Sequence, residues 1–172
     1  VPQSGTAAYA FILGANLDQG AFRMLDLSAP VAPELVGQPA LGMQYAHDAT
    51  TLVITDTRTT DCHLGHNPCE LIIDFNVNTV DIWDVTEKQS PAKISTTSYE
   101  GASYTHSGWW SQDKQFIFIQ DESDELDGAT TTLRTLDISN LMSPVVTNVW
   151  LGTTNAIDHN GFTKGDRYYM SN

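Results

Sequence analysis

Three histidines, His47, His106 and His159, recur at one spacing along the chain. Each follows an aspartate of a repeated motif by 21 or 22 residues, and the histidines are 59 and 53 residues apart. Imidazole is the commonest ligand for zinc, copper, iron and nickel, so three of them predict a transition-metal centre. Asp48 and Asp158, each next to a histidine, would fix the imidazole tautomers. Packing between repeated units would produce the same spacing, and this alternative stays open.

A run of carboxylates, Asp121-Glu122-Ser123-Asp124-Glu125-Leu126-Asp127, is the second candidate site. Carboxylate oxygens are ligands that calcium prefers, so the loop is a candidate calcium site. The spacing differs from that of an EF-hand, and a solvated loop would have the same composition. Asp121 and Glu122 have a further alternative, since they could turn toward the histidines and join the transition-metal centre.

Two cysteines, Cys62 and Cys69, enclose the loop His63-Leu64-Gly65-His66-Asn67-Pro68. A disulfide formed in an oxidising compartment is the simplest interpretation. A Cys/His metal knuckle is the alternative, although this order of ligands does not match the usual paired spacing of zinc sites.

Motifs of familiar enzyme classes are absent from the sequence. It contains no Gly-rich phosphate loop, no Gly-x-Ser-x-Gly elbow and no His-Glu-x-x-His pair. Ser107 beside His106 does not indicate a triad, because a nucleophile needs its base nearby in space rather than next in sequence. No catalytic residue is assigned, and enzymatic activity is not favoured.

The elements that position these residues follow from an internal repeat. The segments 22–28, 80–86 and 133–139 share alternating apolar side chains and end near an aspartate, at Asp26, Asp84 and Asp137. A proline stands seven residues after each aspartate. The aspartates are 58 and 53 residues apart, a period typical of β-propeller blades. We expect each aspartate to accept hydrogen bonds in a turn that ends a strand.

The repeat predicts an all-β fold, a β-propeller of four-stranded antiparallel blades. Residues 1–46 form a partial blade, 47–105 and 106–158 complete blades, and 159–172 the start of the next. This is about three blade equivalents of a larger ring, because a closed propeller has roughly four to eight blades. We expect the remaining blades to come from the parent protein or from another chain. Equivalent positions would meet at the ring axis, which would bring the three histidines together.

The charge and the apolar content of the chain limit the kinds of molecule that it can bind. Eight basic and twenty-one acidic residues give a formal charge of −13, which would repel nucleic acid and anionic lipid headgroups. No apolar run approaches the roughly 18 residues that a membrane span needs. We therefore expect a protein or small-ligand partner and neither a nucleic acid nor a membrane span.

The chain resembles the choice-of-anchor B family of bacterial surface proteins, which carry LVIVD-type repeats. The likeness lies in Val80-Asp81-Ile82-Trp83-Asp84-Val85-Thr86, in Tyr104-Thr105-His106-Ser107-Gly108-Trp109, in Asp121-Glu122-Ser123-Asp124-Glu125, and in Leu151-Gly152-Thr153-Thr154 followed by Asp158-His159-Asn160. The resemblance implies export and a location outside the cell or at its surface. The histidine placement is also similar to that of the selenium-binding protein and methanethiol oxidase propellers, which hold a metal.

These observations favour an extracellular or cell-surface binding module that holds a metal at the propeller axis. Two alternatives stay open. The first is a copper-type oxidoreductase in which the three histidines are ligands. The second is a structural component of an extracellular assembly.

Overall fold

A computed structural model describes residues 7–40 and 45–171 of the chain. The fold is all-β, as predicted, and the helices in the described part are single 3-10 turns, at Asp18–Gly20, Thr57–Asp61, His63–Gly65 and Asp124–Asp127. Thirteen strands follow in order: β1 (Tyr9–Ile12), β2 (Arg23–Asp26), β3 (Glu34–Gly37), β4 (Asp48–Ile54), β5 (Cys69–Phe75), β6 (Val80–Asp84), β7 (Ala92–Thr97), β8 (Thr105–Trp110), β9 (Phe116–Asp121), β10 (Thr132–Asp137), β11 (Val145–Leu151), β12 (Asn160–Lys164) and β13 (Arg167–Ser171).

The strands form four antiparallel sheets, each made of strands that follow one another in sequence. The first sheet contains β1 to β3, the second β4 to β7, the third β8 to β11 and the fourth β12 and β13. The two complete sheets therefore have four antiparallel strands, which confirms that part of the predicted fold. Of the segment predicted as a partial blade, residues 1–6 and 41–44 lie outside the described residues.

The second sheet is buried on both faces. Ile73 and Ile82 point to one face and join a core with Ile117 and Ile119 of the third sheet. Ile72, Trp83 and Val85 belong to the opposite core, with Phe22 and Met24 of the first sheet. Because side chains alternate along a strand, this double burial explains why adjacent residues such as Ile72 and Ile73 in β5, or Ile82 and Trp83 in β6, are both apolar. Each buried large apolar side chain contributes about 1.5–3 kcal/mol.

The three repeated aspartates adopt one conformation. Asp26 Oδ1 accepts a hydrogen bond from the Ser28 amide at 2.7 Å. Asp84 and Asp137 accept the equivalent bonds from Thr86 and Ser139, each at 2.8 Å. Such aspartate turns end a strand by offering its backbone a local hydrogen-bond partner. The predicted turn-forming role of these residues is confirmed.

The strands β4, β8 and β12, which open the second, third and fourth sheets, lie side by side. Gly108 of β8 lets the second sheet come close, because a Cβ atom there would lie 2.5 Å from the ring of Phe75 in β5 and 2.6 Å from the Phe118 carbonyl in β9. Ser107 Oγ donates a hydrogen bond of 2.7 Å to the His159 carbonyl and so ties β8 to the start of β12. These three strands position the candidate site.

Candidate transition-metal site

The three predicted histidines come together where β4, β8 and β12 begin. His47 directly precedes β4, His106 is the second residue of β8, and His159 directly precedes β12. The ring centroids of His47 and His106 are 4.6 Å apart, and those of His106 and His159 are 4.2 Å apart. Each of the three sheets thus supplies one imidazole, and His106 lies between the other two. The group whose ligand atoms all lie within 4.8 Å of one another contains His47 and His106 but not His159.

His106 lies in a break in the pairing between β8 and β9. Thr105 pairs with Asp121 and Ser107 pairs with Gln120, so His106 is the extra residue of a β-bulge. Bulges of this kind redirect a side chain and occur next to functional sites. The bulge leaves His106 between the other two imidazoles, and it could not be inferred from the spacing of the histidines.

Glu122 is the fourth member of the cluster. One carboxylate oxygen lies 3.6 Å from His106 Nε2, and the other lies 3.6 Å from His159 Nε2. His47, His106 and Glu122 each offer a ligand atom within 4.8 Å of the other two. The arrangement therefore combines imidazole nitrogens with one carboxylate, a ligand set that suits zinc and copper.

The remaining ring nitrogens differ in their surroundings. His47 Nδ1 contacts the Tyr104 hydroxyl at 3.0 Å, and His159 Nδ1 contacts the Asn160 side-chain amide at 2.6 Å. His106 is 6% exposed, and its Nδ1 has no hydrogen-bond partner among the described residues. Hydrogen bonds at Nδ1 orient an imidazole and leave Nε2 to face a ligand. Tyr104 and Asn160 are orienting residues that the sequence analysis missed, although both stand within two positions of a predicted histidine.

Burial favours the neutral form of the central imidazole. Desolvation is the largest cause that lowers the pKa of His106, and the nearby Glu122 carboxylate opposes this shift. A neutral imidazole keeps the lone pair that a metal ion requires. The surroundings of His106 are therefore compatible with metal binding near neutral pH.

Asp121 lies beside the cluster and supports it indirectly. Its buried carboxylate accepts hydrogen bonds from the Tyr99 hydroxyl at 2.9 Å and from the backbone amides of Ser103 and Tyr104 at 2.8 and 2.6 Å. These bonds fix the segment that carries Tyr104, whose hydroxyl meets His47. The structure thus gives Asp121 a positioning role.

The two aspartates next to histidines point in different directions. Asp48 Oδ1 accepts a hydrogen bond from the neighbouring Ala49 amide at 2.8 Å, and the Asp48 charge acts on His106 at longer range. Asp158 is fully buried and lies with Asp124 and Glu125 instead. Neither aspartate makes a described hydrogen bond to an imidazole.

No family of known proteins has a model that matches this chain, and no curated protein matches it.

The predicted disulfide is confirmed. Cys62 and Cys69 are bonded, with their Cα atoms 6.4 Å apart. Because a metal knuckle needs free thiolates, the alternative of a Cys/His metal site in this loop is wrong. Of the two histidines inside the loop, His66 contacts Asp84 at 3.0 Å through Nδ1.

The described residues contain no helix that is long and apolar enough to cross a membrane.

Proposed function

We propose that this chain is part of a β-propeller that works as a binding module outside the cell or at its surface and holds a transition-metal ion on its axis. The observation that carries the proposal is the meeting of His47, His106 and His159 with Glu122. Glu122 faces His106 and His159 at 3.6 Å without a hydrogen bond to either, which supports a shared ligand over packing alone.

The propeller part of the proposal is supported by the way the sheets are connected. Each sheet consists of consecutive antiparallel strands, and the strands that open three successive sheets lie side by side. The repeated aspartate turn ends an equivalent strand in each of three sheets. Four-stranded sheets arranged radially around an axis have these properties. Membership of the choice-of-anchor B family belongs to the same proposal.

An extracellular location is supported by the disulfide. Disulfides persist in oxidising compartments and are rare in the reducing cytosol. The strongly acidic composition is compatible with an exposed, solvated surface.

The spacing of the ligand atoms supports a transition metal. Two ligands at about 2.1 Å from a tetrahedral ion are separated by about 3.4 Å. The two imidazole-to-carboxylate separations of 3.6 Å are close to this value. Zinc or copper would therefore fit between these groups with small side-chain adjustments, and Glu122 would offset part of its charge.

Metal analysis of the purified protein tests this proposal. We would remove loosely bound ions with a chelator, supply zinc or copper, and measure bound metal by mass spectrometry. One ion per chain is expected, and it should be lost in the triple variant His47→Ala, His106→Ala, His159→Ala. The double variant His63→Ala, His66→Ala alters the two other histidines of the chain and should retain the ion. A folded wild-type protein that takes up no metal would disprove the proposal.

A copper-type oxidoreductase is the second candidate, because the cluster is open on one side. The His159 side chain is 49% exposed. A cleft of about 740 Å³ is lined by Asp48, Ser107 and Asn160, the sequence neighbours of the three histidines, although none of the histidines lines it. An enzyme needs a coordination position that a substrate can reach. If azide shifts the absorption spectrum of the copper-loaded protein, that position exists and oxidase assays follow. A spectrum that azide leaves unchanged favours the binding module.

A role in an extracellular assembly is the third candidate. Strand β11 ends the third sheet and exposes Val149, Trp150 and Leu151, which are each about half exposed or more. An exposed apolar edge strand favours association. Sedimentation analysis across protein concentrations tests this role, since a chain that stays monomeric throughout would argue against it.

A further inference from the structure

Three buried carboxylates meet at a place distinct from the histidine cluster. Asp124 and Glu125 lie in the 3-10 turn that follows β9, and Asp158 lies in the segment that leads into β12. The three side chains offer ligand atoms within 4.8 Å of one another. Asp158 is 0% exposed, Glu125 5% and Asp124 6%. Acidic residues that belong to a solvated loop would not be buried in this way.

The oxygens of this cluster lack partners. Five of them, Asp124 Oδ1, both oxygens of Glu125 and both oxygens of Asp158, have no geometrically satisfactory hydrogen bond from any described residue. Glu125 and Asp158 face each other and could bond only through a shared proton, and the one further donor near Asp158 is its own backbone amide. Buried polar atoms are normally satisfied, because an unpaired buried oxygen costs about 1–3 kcal/mol and an unpaired buried charge costs more. A set of five is therefore a strong sign that a group which balances them belongs at this position.

The protein supplies less positive charge than the cluster needs. Within residues 7–40 and 45–171, the one cation in an ion pair with the cluster is Arg134, whose Nη2 lies 2.8 Å from Asp124 Oδ2. Three carboxylates with one guanidinium leave an excess of two negative charges. A divalent cation would balance that excess.

In the absence of a cation, protons would have to compensate for the missing charge. Burial, followed by the facing Glu125 carboxyl, raises the pKa of Asp158, and burial raises the pKa of Asp124. A shared proton between Asp158 and Glu125 is therefore the alternative to a bound ion, and the experiment has to separate the two.

The geometry points to a calcium site: we propose that Asp124, Glu125 and Asp158 bind one Ca²⁺ ion, which joins the third sheet to the segment leading into β12. Calcium takes six to eight oxygen ligands at 2.3–2.6 Å, and carboxylates bind it in mono- or bidentate fashion. Five free carboxylate oxygens supply most of such a shell. Magnesium fits less well, because it demands near-ideal octahedral geometry and usually keeps several waters instead of binding to a set of protein oxygens.

A calcium ion at this site would also help to position the histidine cluster. Asp158 directly precedes His159, so an ion held by Asp158 would fix the backbone from which His159 reaches Glu122. The acidic run predicted from sequence as a calcium loop thus contributes Asp124 and Glu125 to the site. The third ligand comes from the neighbour of a predicted transition-metal ligand.

Calcium titration of the chelator-treated, full 172-residue chain tests the proposal. We expect one Ca²⁺ per chain by calorimetry, and a rise in melting temperature of about 5–10 °C at a hundredfold excess over the Kd. Asp158→Asn and Glu125→Gln should each weaken binding at least tenfold. The control Asp127→Asn changes an exposed carboxylate of the same 3-10 turn and should bind as wild type does. Since calcium avoids imidazole, His106→Ala should also bind normally.

The variants also distinguish an ion from a shared proton. In a chelator, Asp158→Asn should be as stable as wild type or more stable, because it removes one of three crowded carboxylates, and calcium should then stabilise wild type alone. Three results would overturn the proposal. The first is that folded wild-type protein binds no calcium. The second is that Asp158→Asn binds calcium as tightly as wild type does. The third is that Asp127→Asn loses as much calcium affinity as Asp158→Asn does.

Discussion

The Nε2 atom of His106 lies 3.6 Å from Oε2 of Glu122, which is beyond the length of an N–H···O hydrogen bond. The second oxygen of the same carboxylate is equally far from His159. Glu122 thus faces two imidazoles without bonding to either. This spacing leaves room for the proposed metal ion between the carboxylate and the two imidazoles.

Glu122 should therefore contribute directly to metal affinity. Glu122→Gln removes a charged ligand while it preserves the shape of the side chain, so we expect zinc to bind at least tenfold more weakly. Competition with a chromophoric chelator measures the affinity. Glu100→Gln makes the same change in charge at an exposed position and should bind as wild type does. Equal affinity in the two variants would show that Glu122 is not a ligand.

Asp74 should make the stability of the protein depend on pH. It is 3% exposed and faces Asp81, Lys93 and Asp48, and burial followed by the Asp81 charge raises its pKa to about 8. The folded state therefore keeps a proton that the unfolded state loses near pH 4. The contribution of this group to stability is complete below pH 4 and decreases as the pH rises toward 8.

Asp74→Asn should remove this dependence, because the amide carries no titrating proton. At pH 8 we expect the free energy of unfolding of the variant to exceed that of wild type by about 2 kcal/mol or more. Between pH 4 and 8, the free energy of unfolding of the variant, measured with urea, should change less than that of wild type. Asp166→Asn, at a 96% exposed position, is the matched control and should leave the profile unchanged. A wild-type profile that does not fall between pH 4 and 8 would contradict the prediction.

Arg58 should hold the second and third sheets together. Its side chain is 5% exposed, and Nη1 donates hydrogen bonds to the carbonyls of Lys114 at 2.7 Å and Ile138 at 3.3 Å, while Asp56 holds the other nitrogens. Arg58→Lys keeps the charge but loses the planar guanidinium group, whose nitrogens reach all these acceptors at once. We expect a loss of about 2 kcal/mol in the free energy of unfolding. Arg167→Lys, 75% exposed, should cost far less, and a similar cost in both would contradict this role.

The disulfide should stabilise the fold modestly, because the loop it closes is short. Cys62 and Cys69 are seven positions apart, and chain entropy assigns a loop of this size about 2.5 kcal/mol. The double variant Cys62→Ala, Cys69→Ala should therefore melt about 5–10 °C lower. A reductant should lower the melting temperature of wild type and leave the variant unaffected. A reduced wild-type protein that melts at the original temperature would contradict this estimate.

The sequence predicted the strands well, because their side chains alternate and each repeated aspartate marks a turn. It also predicted that His47, His106 and His159 would meet, since equivalent positions of a repeat converge. It did not predict the bulge at His106, which depends on a mismatch between two strands. Nor did it predict that Asp158 would join the acidic run, because the 3-10 turn that buries Glu125 becomes visible only in the folded chain.

Because the second sheet is buried on both faces, its strands should be among the last to unfold locally. Ile72 and Trp83 stay covered while the first sheet is in place, and Ile73 and Ile82 stay covered while the third sheet is in place. In stacked repeats, the free energy of unfolding is approximately the sum of the stability of each repeat and the contacts between neighbouring repeats. The backbone amides of β5 and β6 should therefore exchange with deuterated water long after those of β3 and β11, whose side chains are largely exposed.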